Sequence, residues 1–108
     1  MSNDETTKKE SKPIDNISEF ERNATLKVGS RTNVQALAGA ITATVKNKGC
    51  VFMRAIGDGA IGTAMKSATI ASGHLKTIGI NLCSETSFFI VEIDGNERTG
   101  LRILCEDR

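Results

Sequence analysis

Three glycines in the stretch AIGDGAIG follow the pattern G-x-G-x-x-G, which limits how the chain on either side of them can fold. Gly57, Gly59 and Gly62 supply the pattern. An apolar stretch precedes it and an alanine-rich stretch follows it. This context is typical of a loop that joins a buried strand to a helix. Dinucleotide-binding folds begin with the same strand, glycine loop and helix. The sequence therefore predicts a strand before the loop and a helix after it.

The first half of the chain has the pattern of a strand, a helix and a second strand. The stretch TLKV alternates apolar and polar residues, as a short strand does. Apolar residues then recur at helical spacing, where Thr32 or Asn33 can cap the helix start and Gly49 marks its end. The stretch CVFMRAI, from Cys50 to Ile56, is the second predicted strand.

The second half of the chain adds one helix and two strands. The helix is predicted from about Ala60 to Ser72, and Gly73 is expected to end it. FFIVEI and LRILC are the predicted strands, and Asp94-Gly95 between them is typical of a hairpin turn. The order β-α-β-α-β-β predicts an α/β sandwich with two helices on one face of a four-stranded mixed sheet.

Length and composition are those of one ordinary globular domain, with 108 residues of which 39% are hydrophobic. Residues 1–22 are polar and carry a net charge of −2. We expect them to form a disordered extension to a domain at residues 23–108, because they bury too little apolar surface to offset their ordering entropy. The chain contains no membrane-length apolar run and no signal peptide, which predicts a cytoplasmic protein away from membranes.

The residues that usually carry cofactors or catalysis are few. Cys50, Cys83 and Cys105 are odd in number, far apart and in apolar contexts, which predicts buried reduced thiols. The single histidine, His74, is predicted to be a surface or capping residue, and without a C-x-x-C pair no metal or cofactor site is expected. No residue is placed for general acid–base chemistry, so the chain is not expected to be an enzyme.

The glycine loop itself does not fit a dinucleotide-binding fold. It follows the second predicted strand, and only 46 residues remain after Gly62. The first acid after Asp58 is Glu85, too far for the ribose-binding carboxylate. Two interpretations stay open: the glycines allow strand, turn and helix to pack closely, or the N–H groups at the helix start contact a phosphate. Asp58 is evidence against the phosphate interpretation, because its carboxylate competes for those N–H groups.

The basic charge is concentrated in the middle of the chain. Residues 23–84 carry seven basic residues and one acid. A right-handed crossover makes the first two strands parallel, so their carboxyl ends lie at one sheet edge, where ligands of open α/β sheets bind. We expect that edge to carry Lys27 and Arg31 beside the glycine loop, with Lys46 and Lys48 at the opposite edge. This distribution is compatible with an anionic partner, and equally with a role in solubility and internal neutralisation of charge.

Four stretches, LKVGSRTN, LAGAITATVKNKG, RAIGDGAIGTAMKSATIASG and EIDGNERTGLRIL, together resemble the stage V sporulation protein S family of bacteria. The resemblance covers about residues 25–106. It implies the fold of the Alba chromatin proteins, with the same β-α-β-α-β-β order, and a link to the control of sporulation and cell division. It also implies nucleic-acid binding and dimer formation.

This chain differs from Alba proteins at the positions that bind DNA in them. GSRTN stands in place of a basic loop and has Arg31 as its one cation, and the glycine loop stands in place of a basic turn. The hairpin is predicted to be short, with Asp94 and Glu97 making its tip acidic. The residues that the resemblance and the predicted edge assign to nucleic acid are Lys27, Arg31, Thr32, Asn33, Gly57, Gly59, Lys66 and Lys76.

Two functions are compatible with these patterns. The first is a dimeric nucleic-acid-binding regulator that contacts the phosphate backbone with weak sequence selectivity, since four phenylalanines are too few for a base-stacking platform. The second is a homo-oligomeric protein-interaction module in developmental or cell-division control, with alanine–glycine helix faces building the oligomer. A small-molecule or phosphate sensor at the glycine loop is a third hypothesis. Arg31→Glu separates the first two.

Overall fold

The computed structural model describes residues 24–108, and the predicted extension at residues 1–22 lies outside them. Two helices lie on a four-stranded mixed sheet in the predicted order β-α-β-α-β-β. The elements are β1 (Thr25–Val28), α1 (Val34–Lys48), β2 (Cys50–Ile56), α2 (Asp58–Lys76), β3 (Leu82–Ile93) and β4 (Asn96–Asp107). The strands lie in the order β1-β2-β4-β3, with β1 and β2 parallel and the other neighbours antiparallel.

The core lies between the helices and one face of the sheet. Val51, Met53 and Ala55 alternate along β2 and are fully buried on that face, and Ile103 of β4 is their register neighbour opposite Met53. Helix α1 contributes larger side chains such as Ile41, whereas α2 contributes mostly alanines. The small residues let α2 approach the sheet closely. Neither helix of residues 24–108 is long and apolar enough to cross a membrane.

Helix α1 begins and ends at the residues that the sequence indicated. The Asn33 side chain accepts a hydrogen bond from the Ala36 N–H at 2.8 Å, so Asn33 is the cap. Thr32 does not cap the helix. Its hydroxyl oxygen accepts a hydrogen bond from the Gly29 N–H at 2.8 Å and closes the preceding loop. Gly49 ends the helix in the left-handed conformation.

Helix α2 is longer than predicted, and the assignment of Gly73 as its end is wrong. The helix continues through Gly73 to Lys76 because Leu75, in the last turn, is fully buried against the core. The chain reverses at Gly79 instead, which has a φ of 84°. The Ile80 N–H donates to the Leu75 carbonyl across that turn. Burial of a large apolar side chain thus outweighs the intrinsic cost of a helical glycine.

The terminal hairpin is long, so the prediction of a short hairpin is also wrong. Strands β3 and β4 have 12 residues each and pair along their whole length. The turn at Asp94 and Gly95 is confirmed, and both residues have positive φ. Pairing of β4 with β2 stops at Gly100, whereas the β3–β4 ladder continues to the turn. Residues 90–99 therefore project beyond the sheet, and we call them the arm.

Cys50, Cys83 and Cys105, which the sequence predicts to be buried thiols, differ in burial. Cys105 is fully buried, whereas Cys50 and Cys83 are half-buried, so the prediction of three buried thiols holds for Cys105 alone. Burial raises the pKa of the Cys105 thiol, and a hydrogen bond with the Ser84 hydroxyl partly opposes that shift. Cys105 accordingly behaves as a protonated core residue at neutral pH.

The buried ring of Phe89 packs directly on Gly100, and replacement of this glycine is expected to destabilise the fold. A Cβ at Gly100 would lie 2.5 Å from Cζ of Phe89, whose side chain is 3% exposed. Gly100→Ala therefore forces the ring aside and is expected to lower the free energy of unfolding by about 1–3 kcal/mol. Urea denaturation measures the loss.

Gly62→Ala is the matched control for Gly100→Ala. Gly62 lies inside α2, and a Cβ there would meet no atom within 4 Å. Alanine is favoured over glycine in a helix by about 0.5–1 kcal/mol, so this variant is expected to be as stable as the unsubstituted protein or slightly more stable. Equal losses of stability in both variants would contradict the role given to the Phe89 ring.

Candidate nucleic-acid interface

The carboxyl ends of β1 and β2 meet at one edge of the sheet, as the parallel pairing requires. The loop at residues 29–33 follows β1 and leads into α1, and Gly57 follows β2 and leads into α2. These two connections are in contact, because a Cβ at Gly59 would lie 2.9 Å from the Cβ of Ser30. We call residues 29–33 and 57–60 together the loop edge. Both helix N-termini lie on it, side by side.

The two helix N-termini are capped differently. The side chain of Asn33 caps α1, whereas Gly57, the N-cap of α2, has no side chain and α2 has no side-chain cap. The φ of 92° at Gly57 favours glycine there. The first N–H groups of α2 carry the positive end of the helix dipole. Asp58 lies in this first turn and is exposed, so its carboxylate lies near any anion that binds there.

The glycines of the loop are explained in part by packing. Gly59 has no room for a side chain against Ser30, and Gly57 has a left-handed conformation. Gly62, by contrast, lies inside the helix with open space where a Cβ would be. Close packing thus accounts for Gly59, and the positive φ of the backbone accounts for Gly57. The phosphate interpretation stays a hypothesis at the same N–H groups.

The predicted site residues fall into three groups along α2 and the sheet. Arg31, Thr32, Asn33, Gly57 and Gly59 lie on the loop edge, and Lys27 lies beside it on β1. Lys66 is exposed on α2, about 12 Å along the helix axis from Asp58 at 1.5 Å per residue. Lys76 lies in the last turn of α2, about 27 Å from Asp58 on the same measure. The structure therefore does not bring Lys76 together with the others.

Arg31 is the cation of the loop edge. Its side chain is exposed and makes no hydrogen bond or ion pair with any residue in the described range 24–108. Thr32 and Asn33 use their side-chain oxygens on backbone N–H groups, which fixes the loop that carries Arg31. The Arg31 guanidinium is thus held on a shaped loop with all its donors available.

Arg54 is a cation that the sequence reasoning passed over as a strand residue. Together with Lys27, Val28 and Ile56 it lines a cavity of about 250 Å³. The alternation within CVFMRAI could have placed it, since Val51, Met53 and Ala55 face the helices and Arg54 then faces the other side of the sheet. The partner strands of that face could not be read from the sequence.

The arm carries negative charge next to the loop edge. Glu92, Asp94 and Glu97 outnumber Arg98 within it, and all four are exposed. Because β2 runs toward Gly100 at its carboxyl end, the arm projects from the same edge as the helix N-termini. An anion that approaches the loop edge is therefore attracted by Arg31 and repelled by the arm.

Other kinds of site are not apparent between residues 24 and 108. No group of three or more His, Cys, Asp or Glu side chains in that range is arranged to hold a metal ion. His74 is exposed, as predicted, and its carbonyl accepts hydrogen bonds from the Thr77 N–H and hydroxyl.

Comparison with known proteins adds a family and a fold. A family model described as stage V sporulation protein S matches residues 24–108. Among solved structures, Alba from Thermoplasma volcanium is similar, with a TM-score of 0.58 and 12% sequence identity. The matched region covers 76% of this chain and 98% of that chain. The likeness to Alba shows a shared fold.

Proposed function

Because the chain belongs to the stage V sporulation protein S family, we propose that this small regulatory protein acts by binding nucleic acid as a homodimer. The observation that carries the proposal is the contact between Gly59 and Ser30. It places Arg31 and two helix N-termini on one exposed edge, and such an edge presents N–H donors and a cation to a phosphate backbone.

The contacts at this edge suit phosphates better than bases. Arg31 can donate two parallel hydrogen bonds to one phosphate, and the uncapped N–H groups of α2 can serve its neighbour. Lys27 and Lys66 add charge at the margins, whereas Lys76 contributes only at long range. No aromatic side chain lies on the loop edge. Binding is therefore driven by the backbone, sensitive to salt and weakly selective for sequence.

The acidic arm limits how a nucleic acid lies on this edge. Its three carboxylates repel phosphates within roughly one Debye length, about 8 Å at physiological salt. The nucleic acid, double- or single-stranded, accordingly approaches from the side of β1 and Arg31. The arm makes no contact with it. This arrangement keeps Lys27 within the footprint.

The dimer is proposed to form through β3, the strand at the sheet edge opposite β1. Phe88 is 73% exposed and Ile90 is 56% exposed on the side of β3 that faces the helix layer. The strand has 12 residues and contains neither proline nor lysine, the residues that usually protect sheet edges from association. Exposed apolar residues on such an edge favour a protein partner.

The charges of β3 are compatible with a second copy of the same strand. In an antiparallel pairing centred on Phe88, Glu85 lies opposite Val91 and Glu92 lies opposite Ser84. No two carboxylates face one another, and Phe88 meets its own counterpart. A twofold contact of this kind is the commonest way in which identical chains associate.

The experiment that tests the proposal is fluorescence anisotropy of the full chain with short double-stranded DNA, single-stranded DNA and RNA at several salt concentrations. Contacts by Lys27, Arg31 and Lys66 predict that log K falls with log salt with a slope of about −3 per protomer. A slope near zero, or no binding at low salt, would contradict the proposal. That result would favour the protein-interaction module, for which the exposed Phe88 and Ile90 are the supporting observation.

A further inference from the structure

The face of the sheet away from the helices carries paired cations near the loop edge. Lys27 of β1 and Arg54 of β2 are direct register neighbours, on strands about 4.8 Å apart. Like charges placed opposite one another destabilise a sheet unless an anion compensates them. Two acids of this face within residues 24–108, Glu85 and Glu106, are both bound by Arg108, at 2.8 Å and 2.6 Å. Neither neutralises Lys27 or Arg54.

The aromatic ring of Phe89 stacks on the guanidinium of Arg54 and fixes its orientation. The Cζ of Arg54 lies 4.7 Å from the centroid of Phe89, which is itself packed on Gly100. The Nε atom of Arg54 is buried and has no hydrogen-bond partner. A buried N–H donor without an acceptor is unfavourable, and an oxyanion at the edge of the guanidinium plane would remove that cost.

The cavity beside these cations has the size of a small anionic group. Lys27, Val28, Arg54 and Ile56 line about 250 Å³ of space. Sites for drug-sized ligands usually measure about 300–1,000 Å³, so a whole dinucleotide is too large for this one. A phosphate with part of an attached sugar fits, with the apolar side chain of Ile56 against the sugar.

We propose that the Lys27–Arg54 cavity is a phosphate-binding site. Arg54 donates in-plane hydrogen bonds to the phosphate, Phe89 fixes the orientation of the guanidinium, and Lys27 supplies a second charge. The phosphate belongs either to a nucleic-acid backbone or to a free mononucleotide. Arg31 does not line the cavity, and Lys27 is the one lining residue that also belongs to the proposed nucleic-acid footprint. Binding of a free mononucleotide in the cavity therefore does not depend on nucleic-acid binding at the loop edge.

The Nε–H signal of Arg54 in ¹H–¹⁵N spectra of the full chain reports on this site directly. The signal is assigned by its disappearance in Arg54→Lys. Inorganic phosphate, adenosine monophosphate and single-stranded decathymidylate are titrated separately. We expect the signal to shift with at least one of them, and Lys27→Gln to weaken that binding roughly tenfold.

Lys46→Gln is the matched control, because it removes the same charge at an exposed position in the last turn of α1. A shift with adenosine monophosphate identifies the free nucleotide as a source, and a shift with decathymidylate alone identifies the backbone. If Arg31→Glu still binds adenosine monophosphate, the cavity binds phosphate whether or not the loop edge binds nucleic acid. No shift with any probe, or equal affinities in Lys27→Gln and Lys46→Gln, would overturn the site.

Discussion

Replacing Arg31 with glutamate is expected to weaken binding to short nucleic acids by about 100-fold. The change removes a charge-assisted hydrogen bond worth about 1.5–3 kcal/mol and puts a carboxylate next to the phosphate. Arg31 is exposed and free of hydrogen bonds and ion pairs within residues 24–108, so the fold should be unaffected. Anisotropy titrations measure the loss, and the salt slope should become shallower by about 1 or more.

Lys46→Glu is the control that separates a local contact from a change in net charge. Lys46 is exposed in the last turn of α1, and the helix puts it about 20 Å from Arg31, well beyond the Debye length of about 8 Å. This variant should bind nucleic acid almost as the unsubstituted protein does. Equal losses in both variants would mean that the loop edge is not the site, and unchanged binding in Arg31→Glu would mean the same.

The first half of the fold was predictable because its signals are local. Asn33 caps α1 through a residue three positions away, and Gly49 ends the helix in its own left-handed conformation. The parallel pairing of β1 and β2 follows from the helix between them, because a helical crossover returns the chain to the end of the sheet where the first strand began. The position of the loop edge therefore follows from the sequence.

The second half was predicted less well because its boundaries depend on distant contacts. Gly73 is a local helix breaker, yet the burial of Leu75 under the sheet extends α2 beyond it. The polar run at residues 84–87 lacks the apolar–polar alternation of a half-buried strand, and it belongs to β3 because β4 pairs with it. Propensity yields to pairing at these positions.

The Lys27–Arg54 cavity, on the face of the sheet away from the helices, depends on all four strands pairing in register. Arg54 reaches Phe89, 35 positions away in sequence, because both strands flank β4 near Gly100. Alternation along β2 alone gives the face on which Arg54 lies and nothing about its neighbours. The glycine loop itself carries Asp58 and no cation, whereas Lys27 and Arg54 lie opposite one another on β1 and β2.

Replacing Phe88 with glutamate is expected to raise the dissociation constant of the proposed dimer by a factor of at least about 100. A buried phenylalanine contributes about 1.5–3 kcal/mol through its apolar surface, and a twofold contact contains it twice. Each 1.4 kcal/mol is a tenfold change, so the combined loss corresponds to about 100-fold to 10,000-fold. Sedimentation velocity over a dilution series measures the change. The isolated chain should keep its thermal stability, because Phe88 is 73% exposed in it.

Thr69→Glu adds the same charge at an exposed position of α2, where the threonine hydroxyl donates a hydrogen bond to the Met65 carbonyl of its own helix. It should leave the dimer intact. A dimer that persists in Phe88→Glu would place the contact elsewhere, for instance at the alanine–glycine faces of the helices. A chain that is monomeric without any substitution would leave Phe88 and Ile90 exposed to water on an unprotected edge strand. In that case the apolar edge would serve a different protein, and the interaction module would be the better account of the function.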